Sequence, residues 1–169
     1  MNPQAPAVSG PSLVQLFEFA YNVIRANLAG ISHEESLIQP ARAGNCVNWV
    51  FGHVLATRMH MLRLLGETPP WTAEEIARYD RGSEPMLDGK NAISLERMKS
   101  DFDVTQERLR AGLARLTPER MAQPMPPNLN PLKVDSVGEM VGALLFHESY
   151  HSGQTGILRR ILGKDGAIR

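Results

Sequence analysis

The chain has 169 residues, 43% apolar and 21% charged, with eighteen basic against eighteen acidic side chains. That is enough for one domain with a real core, and the charge balance argues against a broad nucleic-acid-binding surface. The single cysteine, Cys46, excludes an intrachain disulfide framework and a cysteine-rich zinc site, and fits a reducing compartment. No run nears the ~20 apolar residues of a membrane span, and no charged segment leads into an apolar one at the N-terminus. The expectation is a cytoplasmic protein.

Residues 1–10 read as a loose tail and 11–169 as one domain, with no internal repeat. Pro11 suits a first helical position, and Leu13, Leu16, Phe17, Ala20 and Ile24 recur at helical spacing up to a stop at Gly30. Ser32 and Glu35 form a capping box for a short helix that Pro40 ends. Asn45 is the expected N-cap of the second long helix, which carries Val47, Val50, Phe51, Val54, Leu55, Leu62 and Leu65 and ends at Gly66. The connection 67–93 holds a second capping box, Thr72 with Glu75. Ser94 opens a third helix with one buried stripe, Leu95, Met98, Phe102, Thr105, Leu109, Gly112 or Leu113, and Leu116, opposite Glu96, Lys99, Asp103 and Arg110.

Prolines at 124, 126, 127 and 131 forbid an uninterrupted helix over 117–135. Ser136 and Glu139 then cap a largely apolar last helix that Gly163 stops. No segment alternates like a strand. The fold class expected is all-α, a four-helix bundle.

The chemistry concentrates in His147-Glu148-Ser149-Tyr150-His151-Ser152-Gly153-Gln154. Residues four apart on a helix share a face, ~40° apart, so His147 and His151 can close on one cation. The literal H-E-x-x-H pattern is also that of a zinc protease helix. Two features oppose that reading: only residues 152–169 follow, with Asp165 beyond the helix stop, and strands are absent from the pattern. A catalytic zinc takes three protein ligands, so a third would lie upstream.

Three other histidines remain. His33 sits in the first turn of a short surface helix and reads as solvated or structural. His53 lies mid-helix among Val50, Phe51, Val54 and Leu55, where a neutral imidazole needs partners. His60 shares its face but lies about 10.5 Å further along the axis, too far for ligand bonds of about 2 Å to share one ion. Taken alone, His53 is more often a hydrogen-bonded core residue than a ligand. By the same axial distance Cys46 is not a ligand but an inert small residue.

Two segments read together change the balance. Asn45-Cys46-Val47-Asn48-Trp49-Val50-Phe51-Gly52-His53 resembles the second-helix signature of the DinB/YfiT-like family. His147 to Gln154 resembles its last-helix signature H-x-x-x-H-x-G-Q, flanked by Ser136-Val137-Gly138-Glu139 and Leu158-Arg159-Arg160-Ile161-Leu162-Gly163. The resemblance spans residues ~12–163 by helix order and loop length. It implies an up-down-down-up bundle, and one divalent ion, nickel or zinc, held by His53, His147 and His151. It also implies a low-molecular-weight thiol cosubstrate, a small-molecule substrate and a homodimer; the balanced charge and the lack of an apolar span add the expectation of no nucleic-acid or membrane partner.

The resemblance implies thiol chemistry, since some members of that family transfer a low-molecular-weight thiol group and some isomerise with a thiol cofactor, while others are described only as metal-dependent hydrolases. Transferase chemistry on small electrophiles is therefore the leading expectation, then a hydrolase, then a metal-binding stress-response module without turnover. Glu148 reads either as a general base or imidazole-orienting carboxylate, or as a surface or interhelix carboxylate. Tyr150 and Gln154 are expected to line the site or bond across helices, and Gly153 to permit close packing. Trp71, Tyr79 and the 124–131 segment are candidates to roof the site.

Overall fold

The computed structural model describes residues 9–40 and 44–168, and residues 1–8 of the expected tail lie outside them. Four long helices carry the fold: α1 (Gly10–Leu28), α3 (Val47–Leu64), α5 (Leu95–Ala114) and α7 (Val137–Ile161). Short helices α2 (His33–Ser36), α4 (Ala73–Tyr79) and α6 (Pro118–Met121) punctuate the connections, with a 3-10 turn at Pro127–Leu129. No strand forms among the described residues, as the absence of alternation predicts.

Helix starts follow local chemistry with three departures. Ser9 caps α1, so the helix begins one residue before Pro11 and takes in Gly10. At α3 the cap position is the extended Cys46, with no side-chain bond, and not Asn45. Packing holds that end: Val47 to Leu55 are all buried. At α7 Ser136 accepts from Glu139 N, but the Glu139 carboxylate reaches back to Asp135 N, so the box is displaced by one residue on its acidic side.

The chain direction follows from pairs of contacts. Glu18 of α1 meets Gln106 and Arg110, and Arg25 meets Asp103, so α1 and α5 are antiparallel. Asn48 meets Ile93 just ahead of α5, Arg58 meets Phe102 and Thr105, and Leu65 meets Gly112, so α3 and α5 are parallel. Leu13 and Leu16 share a groove with Gly142 and Leu145, while Asn27 bonds Ser152 and Thr155, so α1 and α7 are parallel. The order is up, down, down, up. α5 and α7 each pack on both α1 and α3, and α4 lies against α3.

A polar cluster crosses the middle of the core. Arg58, 1% exposed, forms a two-pronged ion pair with Glu148, 3% exposed, at 2.6 and 2.9 Å. Its other N–H groups reach the Phe102 carbonyl, Thr105 Oγ1 and Gln106 Oε1. All five guanidinium donors are therefore used, and the guanidinium lies 3.8 Å from the Phe102 ring centroid. Gln106 passes the chain of bonds to Glu18 on α1.

Candidate metal centre

His53 comes from α3 and His147 and His151 from two successive turns of α7. The three Nε2 atoms converge: His53 to His147 is 3.0 Å and His147 to His151 is 3.1 Å. They are the one group of three potential ligands that could hold a metal ion among the described residues.

The far side of two of these rings is pinned. His53 Nδ1 lies 2.7 Å from the Tyr79 carbonyl, which only accepts, so Nδ1 carries the proton. His151 Nδ1 lies 2.6 Å from Gln154 Oε1, and the same tautomer follows. In both, the Nε2 lone pair is therefore left free and turned inward. His147 Nδ1 is buried without a partner among the described residues. One proton on His147 can serve only one of the two facing nitrogens, so no assignment of protons satisfies the cluster.

A divalent cation fits this donor set. Two ligand bonds of ~2.0–2.1 Å subtend a chord of about 3.0–3.1 Å at an angle near 95°. Burial also keeps the imidazoles neutral, the state a metal needs. It pushes His147 down to about 3, helped by its two histidine neighbours. It lowers His53 against the opposing Tyr79 hydrogen bond, and His151 against that of Gln154.

The segment before His53 explains itself in three dimensions. Tyr79 ends α4, and its hydroxyl donates to Asn48 Oδ1 while accepting from Ile93 N. Its ring covers Gly52, where a Cβ would stand 2.2 Å from Tyr79 Cδ1. Asn48 and Gly52 thus seat the residue whose carbonyl orients His53. Trp49, one turn before His53, stacks on its ring at 5.0 Å and donates to Ser83.

The other sequence candidates sort clearly. Glu148 belongs to Arg58 and is an interhelix carboxylate. Gln154 bonds His151 along its own helix, not across helices. Tyr150 is exposed, with its ring edge on His151 at 5.2 Å between centroids. His60 pairs with Asp80 at the half-exposed end of α4, and the His33 ring accepts from Leu95 N at the start of α5. Cys46 is buried and free. Trp71 is buried against Tyr79 and donates to Asp101.

Sequence reasoning missed the Tyr79 carbonyl, the Trp49 stack and Arg58. Arg58 left a signal as a charge in an apolar run, and Trp49 as the aromatic one turn before His53 in the second-helix signature. No helix among the described residues is long and apolar enough to cross a membrane.

Comparison with curated proteins returns no match. A family model described as the DinB superfamily matches residues 16–155, from the first turns of α1 to just past His151. With all three histidines inside that span and a helical fold around them, the chain belongs to the DinB superfamily.

Proposed function

We propose that His53, His147 and His151 hold one divalent ion, nickel or zinc, and that the chain is a metal-dependent thiol S-transferase acting on small electrophiles. The observation that carries the reading is the convergence of three Nε2 atoms, two of them with lone pairs freed by the bonds that Tyr79 and Gln154 make behind the rings.

A divalent ion held there supplies Lewis acidity, which keeps a thiol ionised near neutral pH. The protein's part is to present three neutral donors and no charge of its own. Glu148, the nearest carboxylate in sequence, is consumed by Arg58, so the ion's double charge favours an anionic ligand such as a thiolate. The same fact weakens the hydrolase reading, because Glu148 is not free to act as a general base. Trp49 covers one side of His53, and Tyr150 stands beside His151 on the solvent side.

Metal analysis of protein prepared without a polyhistidine tag should give about one ion per chain, and His53→Ala or His151→Ala should abolish it. Full retention in His53→Ala would sink the three-histidine site. Thiol-dependent conjugation of a small electrophile by the metal-loaded protein supports the transferase. Ester turnover without thiol favours the hydrolase, and neither activity leaves a binding module.

A further inference from the structure

Tyr79 leads directly into a hydrogen-bonded turn, Asp80-Arg81-Gly82-Ser83. Ser83 N donates to the Asp80 carbonyl at 3.1 Å, and Gly82, third in the turn, takes φ +85°, a left-handed conformation suited to glycine. The turn is fastened to α3 at three places. The Tyr79 carbonyl lies 2.7 Å from His53 Nδ1, and Asp80 Oδ2 lies 3.1 Å from His60 Nε2. Ser83 Oγ accepts from Trp49 Nε1 at 3.1 Å, and Trp49 stacks on His53. The two ends of one turn therefore hold His53 and the ring that covers it, and Arg81 stands at the exposed corner between them.

The Arg81 side chain has no partner within the chain. Among the described residues its guanidinium makes no ion pair and no hydrogen bond. The adjacent Asp80 does not neutralise it, because one carboxylate oxygen accepts from the Arg81 backbone N–H at 3.0 Å and the other faces His60. Arg78, in the same segment, is spent on the Asn91 carbonyl. Arg81 is also near the cluster: burial first, and then the charges of His60 and Arg81, lower His53.

The opposite side of the cluster is uncharged. Tyr150 stands there against His151, and Glu148, the single acidic or basic residue between Glu139 and Arg159, is buried on Arg58. A small molecule approaching the three Nε2 atoms meets a fixed cation on the α4 side and an aromatic ring on the α7 side. A divalent ion with a guanidinium to one side favours a ligand that carries two anionic groups. The planar fork of arginine matches a carboxylate through two parallel hydrogen bonds.

We infer that Arg81 determines specificity by pairing with a carboxylate on the small molecule bound at the histidine cluster. The inference rests on the thiol chemistry proposed above. It gives the 80–83 turn a task beyond orienting His53.

Two pairs of probes locate the carboxylate. Nickel-loaded protein titrated with mercaptopropionate and with mercaptopropanol, followed by the thiolate-to-metal absorption band, reads one on the thiol. The rate of conjugation of a neutral thiol with iodoacetate and with iodoacetamide reads one on the electrophile. In at least one pair, Arg81→Gln should weaken the carboxylated member about fivefold relative to its neutral counterpart, the magnitude of a solvent-exposed ion pair at its stronger end. Arg81→Lys should keep part of the preference, while circular dichroism and metal content stay as in wild type. Preferences unchanged by Arg81→Gln in both pairs overturn the inference and leave the thiol reading standing. Loss of metal from Arg81→Gln also overturns it, by making Arg81 part of the scaffold. Absence of a thiolate band with either thiol overturns the thiol reading, and the inference with it.

Discussion

Gly52→Ala places one methyl group against the residue that orients His53. The new Cβ would stand 2.2, 2.5 and 2.6 Å from Cδ1, Cε1 and Cγ of Tyr79. Carbon atoms in good contact are ~3.5–4.0 Å apart, so the ring must retreat by about 1 Å or more. It cannot swing aside alone, because its hydroxyl is bonded at 3.0 Å to Asn48 and at 2.8 Å to Ile93. The end of α4 moves with it, and the 2.7 Å bond from His53 Nδ1 to the Tyr79 carbonyl stretches.

Overpacking of this kind costs roughly 1–3 kcal/mol, offset by the ~1 kcal/mol that alanine gains over glycine in a helix. The net change in stability is therefore modest. Removing the outer hydrogen bond of a ligating imidazole typically lowers metal affinity by about 10–100-fold. The variant should separate the two effects: a small shift in urea midpoint for metal-free protein, and a large loss in competitive titration with a chromophoric chelator. A variant about 1 kcal/mol more stable than wild type, with unaltered metal affinity, would refute the coupling from Gly52 through Tyr79 to His53.

Two further outcomes follow from buried groups. Glu148→Ala strands the Arg58 guanidinium in the core and should cost about 3–5 kcal/mol by chemical denaturation, while Arg58→Met/Glu148→Leu should recover most of it; a loss below ~1 kcal/mol for the single variant contradicts the buried pair. For metal-free protein, the three histidines have folded-state affinities for protons below the ordinary value of 6.5. Above that pH neither state is protonated. Below it the unfolded chain takes up protons that the folded one refuses, His147 down to about 3, so stability falls as pH falls. The urea midpoint should be lower at about pH 5.5 than at about pH 7.5, and an equal or higher midpoint at acid pH is the contrary result.

Sequence and structure agree most where the determining forces are local. Apolar spacing and the Ser32, Thr72 and Ser94 caps located their helices, and the i, i+4 rule placed His147 and His151 together. The Asn45 cap failed because capping preference is worth only ~1 kcal/mol, and the buried run from Cys46 to Leu55 sets where α3 begins. Gln154 is three residues from His151 on the same helix, a spacing that allows the observed bond, yet the residue type alone did not choose between partners. Tyr79 was legible only as an aromatic in a long connection. Its contribution is a backbone carbonyl, which every residue has, so no side-chain pattern could assign it. Glu148 remained ambiguous because its partner lies 90 positions away in the chain.

The Arg58–Glu148 pair also bears on why the histidine cluster closes. Apolar helices packed only by ridges and grooves tolerate small slides with little change in buried area. A two-pronged guanidinium–carboxylate pair does not, since a shift of one residue along α7 is 1.5 Å and 100°. Arg58 lies five positions after His53 on α3, and Glu148 sits between the two histidines of α7. Fixing Arg58 on Glu148 therefore sets the rotation and height of α7 relative to α3 within a turn of the metal ligands. The remaining donors of Arg58 tie the same point to α5, and Gln106 ties it to α1. A hydrophobic replacement of the pair can thus preserve stability and still lose the alignment of His53 with His147 and His151. Metal affinity of Arg58→Met/Glu148→Leu, read beside its stability, distinguishes a pair that merely fills the core from one that holds the site in register.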